Sequence, residues 1–447
     1  MSSPPPAPAA RASIAFPCRT YTDLAGYSTA SDVAPHALID LDMAEFETAV
    51  GLHDTSATWI ADATFIYEKG GGGLCSTADV TAGTATDSTT TPWCTDTTQA
   101  LGNSQKSTAV RTLKGFATKD YSGYTGNYAE EMPPLYTAYW TANGMSAAEA
   151  KEWAHTFITK DYSAIVQTAG SNQIMKKGAN YQAVWMYVLH ELEDAIGDCY
   201  AGDILANDNT PTGGAPHAWD EGWAFYAGST VGTTAADAAT NKGTLIWELA
   251  EKRGADFGTM HSTGPSTANV NALALAIQGR DLIIAASCAA AEPVVQAWRA
   301  QQTVPLVQGT LKYAFKADPA NTAGDCTADA ANTGLTADAG CAKSWAEGWA
   351  FAAAVLPQVH ACDATAATTI KTNLDIAGVP MAGGFAAVKT AIESTYACMG
   401  ITCADVGAYS DSTACVDPVA SSDAATAPAL ALGAAAAAAA AGAALLF

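Results

Sequence analysis

The stretch Trp219-Asp220-Glu221-Gly222-Trp223-Ala224-Phe225 is written a second time, 126 residues later, as Trp345-Ala346-Glu347-Gly348-Trp349-Ala350-Phe351. Gln182 and Gln308 stand at the same offset, so the chain reads as two equivalent structural units. Around 182–197, Trp185, Val188, Leu189, Leu192 and Ile196 share one face at 3.6-residue spacing. The stretches 146–167, 219–228, 243–252, 268–290, 293–316, 344–360 and 383–399 read in the same way, and strand alternation is rare. The expected fold is all-α: a helical bundle built from two pseudo-repeat units with long disulfide-pinned loops. Its expected divisions are a low-complexity segment 1–18, a segment 19–124 packed on the bundle, units 125–285 and 286–405, a linker 406–427 and a hydrophobic tail 428–447.

Of 447 residues, 44 are acidic and 21 basic, a net charge of −23. Nucleic-acid binding needs clustered Lys and Arg, so this balance excludes it and favours cations as partners. Eleven cysteines fall outside any paired CxxC pattern, which argues against a zinc module. Several, such as Cys75 and Cys94 or Cys326 and Cys341, lie in Gly/Ser/Thr/Asp-rich loops and suit loop-closing disulfides in an oxidising compartment. The tail is almost pure Ala, Leu and Gly after Ser421-Ser422-Asp423-Ala424, a pattern that fits a glycolipid-anchor signal. Residues 1–16 hold no apolar run of a secretory leader, and the expectation is that the true start lies elsewhere.

Each copy of the repeat embeds one Glu among Trp, Phe, Ala and Gly, and a buried acid needs a proton, a cap or a metal. For Glu347 a capping box with Ser344 is the simple structural alternative. It fails for Glu221, where Ala218 takes the cap position and Asp220 adds a second carboxylate. His190-Glu191-Leu192-Glu193-Asp194 is the next cluster. With Trp185 at zero, Glu193 lies at about 80° and His190 at about 140°, close enough to share a ligand, while Glu191 at about 240° points away. A solvated acidic face is the bland reading. The run imitates His-Glu-x-x-His, but position 194 is Asp, which removes the second imidazole of a metallopeptidase. His217 and Glu68, beside Tyr67, are further possible ligands. Oxygen donors with an occasional imidazole suit a hard or borderline ion such as ferric iron and do not suit copper(I).

Ala218-Trp-Asp-Glu-Gly-Trp-Ala-Phe-Tyr-Ala-Gly-Ser229 resembles the signature of the algal iron-assimilating proteins, also called low-iron-inducible periplasmic proteins or phytotransferrins. Supporting stretches include Ile66-Tyr-Glu-Lys-Gly70, Arg111-Thr-Leu-Lys-Gly-Phe116, Pro305-Leu-Val-Gln-Gly-Thr-Leu-Lys-Tyr313 and Tyr396-Ala-Cys-Met-Gly-Ile-Thr-Cys403. The likeness runs in order from about 36 to 408. It implies a periplasmic or cell-surface carrier without turnover that concentrates ferric iron for uptake, with carbonate as synergistic anion and an iron reductase or permease as partner. Burial, rather than the resemblance, selects the expected metal ligands: Glu68, His190, Glu193, His217, Asp220, Glu221 and Glu347, with Glu221 and Glu347 meeting across a pseudo-two-fold. The rivals are a di-iron carboxylate ferroxidase and an anchored acidic cell-wall or adhesion protein.

Overall fold

A computed structural model describes residues 23–53, 55–70, 111–121, 128–162, 168–204, 214–238, 240–327, 339–379, 381–410 and 415. The helices of ten or more residues are α1 Ile39–Gly51, α2 Trp59–Lys69, α3 Met132–Ala142, α4 Thr168–Gly178, α5 Trp185–Ala201, α6 Gly214–Ala227, α7 Ile246–Phe257, α8 Thr267–Ile284, α9 Cys288–Ala317, α10 Ala339–Cys362, α11 Ala364–Leu374 and α12 Gly384–Glu393. Shorter helices and isolated β-bridges, but no strands, accompany them among the described residues, and the fold is all-α.

The repeat is structural. Helix α5 packs on α6 as α9 packs on α10, so each copy of the motif lies against the helix that precedes it. Gly222 makes the first contact possible: a Cβ there would stand 2.8 Å from Leu192 Cδ2. Gly348 is crowded in the second unit, where a Cβ would meet Leu374 Cδ2 at 3.0 Å and Tyr313 Cβ at 3.3 Å. Trp219 and Trp223 of α6 reach Trp298 of α9, with ring centroids 5.5 and 5.6 Å apart, so indoles fill the seam between units. A π-helical turn, Ala179–Val184, joins α4 to α5 without a break.

Four disulfides lie among the described residues. Cys199–Cys288 ties the end of α5 to the start of α9, and Cys326–Cys341 closes the loop before α10. Cys362–Cys398 and Cys403–Cys415 pin the C-terminal helices. Cys18, Cys75 and Cys94, with the segments 1–18 and 428–447, lie outside the described residues. No described helix is long and apolar enough to cross a membrane.

One expectation at the motif is corrected. Helix α10 begins at Ala339, so Ser344 sits inside it and cannot cap it. The Ser344 hydroxyl donates to Asp325 instead, and the capping explanation of Glu347 falls.

Candidate metal centre

Helix α6 is buried along nearly its whole length, and Glu221 is 4% exposed within it. Its carboxylate would be prohibitively costly there without partners. Two imidazoles supply them. Nε2 of His217, one turn earlier on α6, stands 2.9 Å from Glu221 Oε1, and Nε2 of His36 stands 3.1 Å from the same oxygen. The two imidazole rings meet edge to face with centroids 5.2 Å apart. Among the described residues, His36, His217 and Glu221 form the one group of at least three His, Cys, Asp or Glu side chains whose ligand atoms lie within 4.8 Å of one another.

Arg111 completes the first ring of charge. Its Nη2 donates to Glu221 Oε1 at 3.1 Å and its Nη1 to Oε2, a two-pronged grip on both carboxylate oxygens. Thr112 beside it caps the short helix Leu113–Ala117 by accepting from Gly115 N at 2.9 Å, which fixes the chain that carries the guanidinium. The Phe225 ring, one turn along α6 from Glu221, lies 5.4 Å from Arg111 Cζ.

A second carboxylate faces the first. Glu191, from α5, shares a hydrogen bond with Glu221. The sequence reading aimed Glu191 away from the core stripe, and this is corrected. Over its first half helix α5 has no solvent stripe: Trp185 through Glu193 are all buried, so the side opposite the core seam faces α6 and Arg111 instead of water, and exposure begins only beyond Glu193.

The electrostatics follow from these contacts. Burial would raise Glu221, but His36, Arg111 and the His217 hydrogen bond override it and hold the carboxyl well below its ordinary value. Burial, followed by the charge of Glu221, pushes Glu191 well above its ordinary value. The shared hydrogen bond needs one proton between the two carboxyl groups, and these opposite shifts place it on Glu191. Burial lowers His36 despite Glu221. Burial opposes His217 too, yet its hydrogen bond to Glu221 wins and its pKa rises. The site thus holds labile protons where a cation could stand.

Asp220 has a different task. Its Oδ1 accepts from the Tyr27 hydroxyl at 2.6 Å, and its Oδ2 accepts from Ala30 N, Ser31 N and Ser31 Oγ at 2.7, 2.8 and 2.9 Å. Burial lifts its pKa to about 6 against those donors. Four donors occupy the carboxylate, so it binds the segment that leads into the short helix Ala34–Ala37, which carries His36.

The remaining expected ligands stand apart. His190 Nδ1 lies 2.6 Å from Glu130 Oε1, and Glu193 accepts from Glu131 N at 3.0 Å. They therefore face separate partners rather than a common ligand. Glu68 pairs with Lys114 at 3.0 Å on a partly exposed edge. Glu347 does not join Glu221: its hydrogen bond goes to Tyr313. Each copy of the motif gathers its own guanidinium, Arg111 at Glu221 and Arg253 at the Tyr313 phenol beside Glu347.

Sequence reading missed His36 and Arg111 as ligands or anchors, although both lie within stretches it quoted or bounded. Neither has a local signal. They come from the segment 19–124, which was expected to pack on the bundle and to offer Glu68 as its one ligand.

A model of the family described as low iron-inducible periplasmic protein matches residues 7–432. No curated protein and no solved structure matches. With nearly the whole length matched, and with two histidines on a buried carboxylate able to hold a metal, the chain belongs to the low iron-inducible periplasmic protein family.

Proposed function

We propose that the protein captures ferric iron outside the cytoplasm and carries it toward uptake without converting it, with His36, His217 and Glu221 as ligands. The observation that carries this reading is the convergence of two imidazole nitrogens on one oxygen of a buried carboxylate. Glu191 stands ready as a further oxygen donor once its proton is displaced. Hard oxygen donors with imidazole suit ferric iron. Arg111 supports the finer proposal of carbonate as synergistic anion, since a planar guanidinium matches a planar oxyanion and would turn one fork from Glu221 to it. The apolar tail 428–447 supports a lipid anchor, and a reductase or permease would receive the iron.

The test is equilibrium ferric-iron binding to the purified protein, with and without bicarbonate, at about pH 8 and about pH 5. Tight binding that needs bicarbonate and collapses in acid is expected, because protons compete for every ligand. Weak binding indifferent to bicarbonate would return the acidic adhesion-protein reading. Oxygen consumption during loading with ferrous iron would instead support the ferroxidase.

A further inference from the structure

The second copy of the repeat keeps the carboxylate but exchanges its company. At the same 126-residue offset, Tyr187 becomes Tyr313 and Phe225 becomes Phe351, while His217 becomes Lys343. Tyr313 stacks on Phe351 with centroids 5.7 Å apart, and its phenol hydrogen-bonds Glu347 and Arg253. The guanidinium that answers Arg111 here is therefore Arg253, delivered from α7. Its Cζ lies 5.8 Å from the Tyr313 ring, and its Nη1 is 3.3 Å from Asp256 Oδ2.

Two residues leave hydrogen-bonding atoms over at this place, Arg253 Nη1 among them despite its ion pair to Asp256. Glu347, 3% exposed, has no partner for Oε2, and Arg253, 7% exposed, has none for Nε. Buried charged groups seldom go unmet, because each missing bond costs on the order of 1–3 kcal/mol. One is an acceptor and the other a donor, joined through one phenol. Lys176 and Lys316 reach Glu347 electrostatically, and Lys343 neighbours Lys176, in a chain that carries only 21 basic residues. Ammonium groups have no lone pair to offer a metal, so the change from His217 to Lys343 inverts the chemistry of the position.

We propose that the second copy of the motif, with Arg253 supplied from α7, builds a separate oxyanion site on Arg253, Tyr313 and Glu347, for a small oxyanion that still carries one proton, hydrogenphosphate or hydrogencarbonate. Arg253 Nε donates to an anionic oxygen of the ligand, and Glu347 Oε2 accepts the ligand's own O–H. The retained carboxylate is then a discriminator: it rejects an oxyanion that has no proton to give, leaving two acceptors face to face. Nothing in this site depends on whether the first unit binds iron.

The experiment is isothermal titration of the metal-free full-length protein with inorganic phosphate, bicarbonate and sulfate near neutral pH. Saturable binding of phosphate or bicarbonate is expected, with sulfate weaker by about tenfold or more; the tighter of the two identifies the natural source. In Glu347→Gln the side-chain amide can donate, so sulfate should gain and the ratio should approach unity. Arg253→Gln should weaken both protonated anions by about tenfold or more. If Arg253→Gln does not fold, the Glu347→Gln ratio still decides. Absence of saturable binding to the wild-type protein, equal binding of sulfate, or an unchanged ratio in Glu347→Gln would each overturn the proposal.

Discussion

The hydroxyl of Ser31 stands 2.9 Å from Nδ1 of His217, and the same hydroxyl donates to Asp220. A hydroxyl has one proton, so Ser31 must accept from His217, which fixes a proton on Nδ1. Nε2 is then the nitrogen left to face Glu221 and a metal. Asp220 therefore serves the site through Ser31, orienting the imidazole that its neighbour uses.

Ser31→Ala should lower ferric-iron affinity by about tenfold, the lower end for loss of such an orienting partner, with only a small loss of thermal stability. Competition with a chelator of known affinity measures the first and thermal melting the second. Unchanged affinity would mean the imidazole is oriented by packing alone.

Asp220→Asn removes a charge that answers four donors linking residues 27–31 to α6. A stability loss on the order of 3 kcal/mol is expected. Hydrogen exchange should show the loss concentrated at the segment that carries His36. A uniform loss across the chain would contradict the clamp.

Glu221→Gln should abolish tight iron binding, whereas Glu347→Gln should leave it within about twofold, since the two carboxylates occupy different units. The first variant also leaves Arg111 without its carboxylate, so its stability should fall by about 3–5 kcal/mol. Equal effects of both variants on iron affinity would restore a shared site.

Glu130 is lifted to about 9, by burial first and then by Glu193 and Asp194. A carboxyl whose folded pKa is raised binds more protons folded than unfolded, so its stability contribution falls as pH rises toward the folded value. Glu193 and Asp198, each lifted chiefly by burial to about 7, act in the same direction. His36 and His190, lowered by burial, are neutral in both states above the ordinary histidine value and do not oppose this. Metal-free protein should therefore lose stability between about pH 7 and about pH 9, by on the order of 1–2 kcal/mol from Glu130. Denaturant melts at the two pH values measure it, and Glu130→Gln should flatten the slope.

Removal of Cys326–Cys341, which closes a 15-residue separation ahead of α10, should cost about 3 kcal/mol. The loss should appear as fraying of the first turns of α10, seen by hydrogen exchange, with the His36, His217 and Glu221 group intact. Loss of iron binding in step with stability would show that the two units unfold as one.

The helices and their duplication were legible because periodicity and repetition are local properties of a chain. Glu221 was legible too, since one acid in an apolar helix declares a need for partners whatever surrounds it. Its partners were another matter. Arg111 is 110 residues away and His36 farther still, and nothing near either residue announces the meeting. Asp220 and Glu221 are chemical near-equivalents in sequence, yet successive helix positions diverge by about 100°. One therefore ties down a segment while the other meets His36, His217 and Arg111. Glu191 was misdirected for a related reason: a helical wheel fixes angles between side chains, but only packing says which neighbour lies along each angle. The sequence by itself determined an all-α, twice-built bundle with a demanding carboxylate in each half. Tertiary structure alone decided that His36 and Arg111 close on one of them and Arg253 on the neighbourhood of the other, because those groups arrive from distant segments brought together only by the packing of the whole.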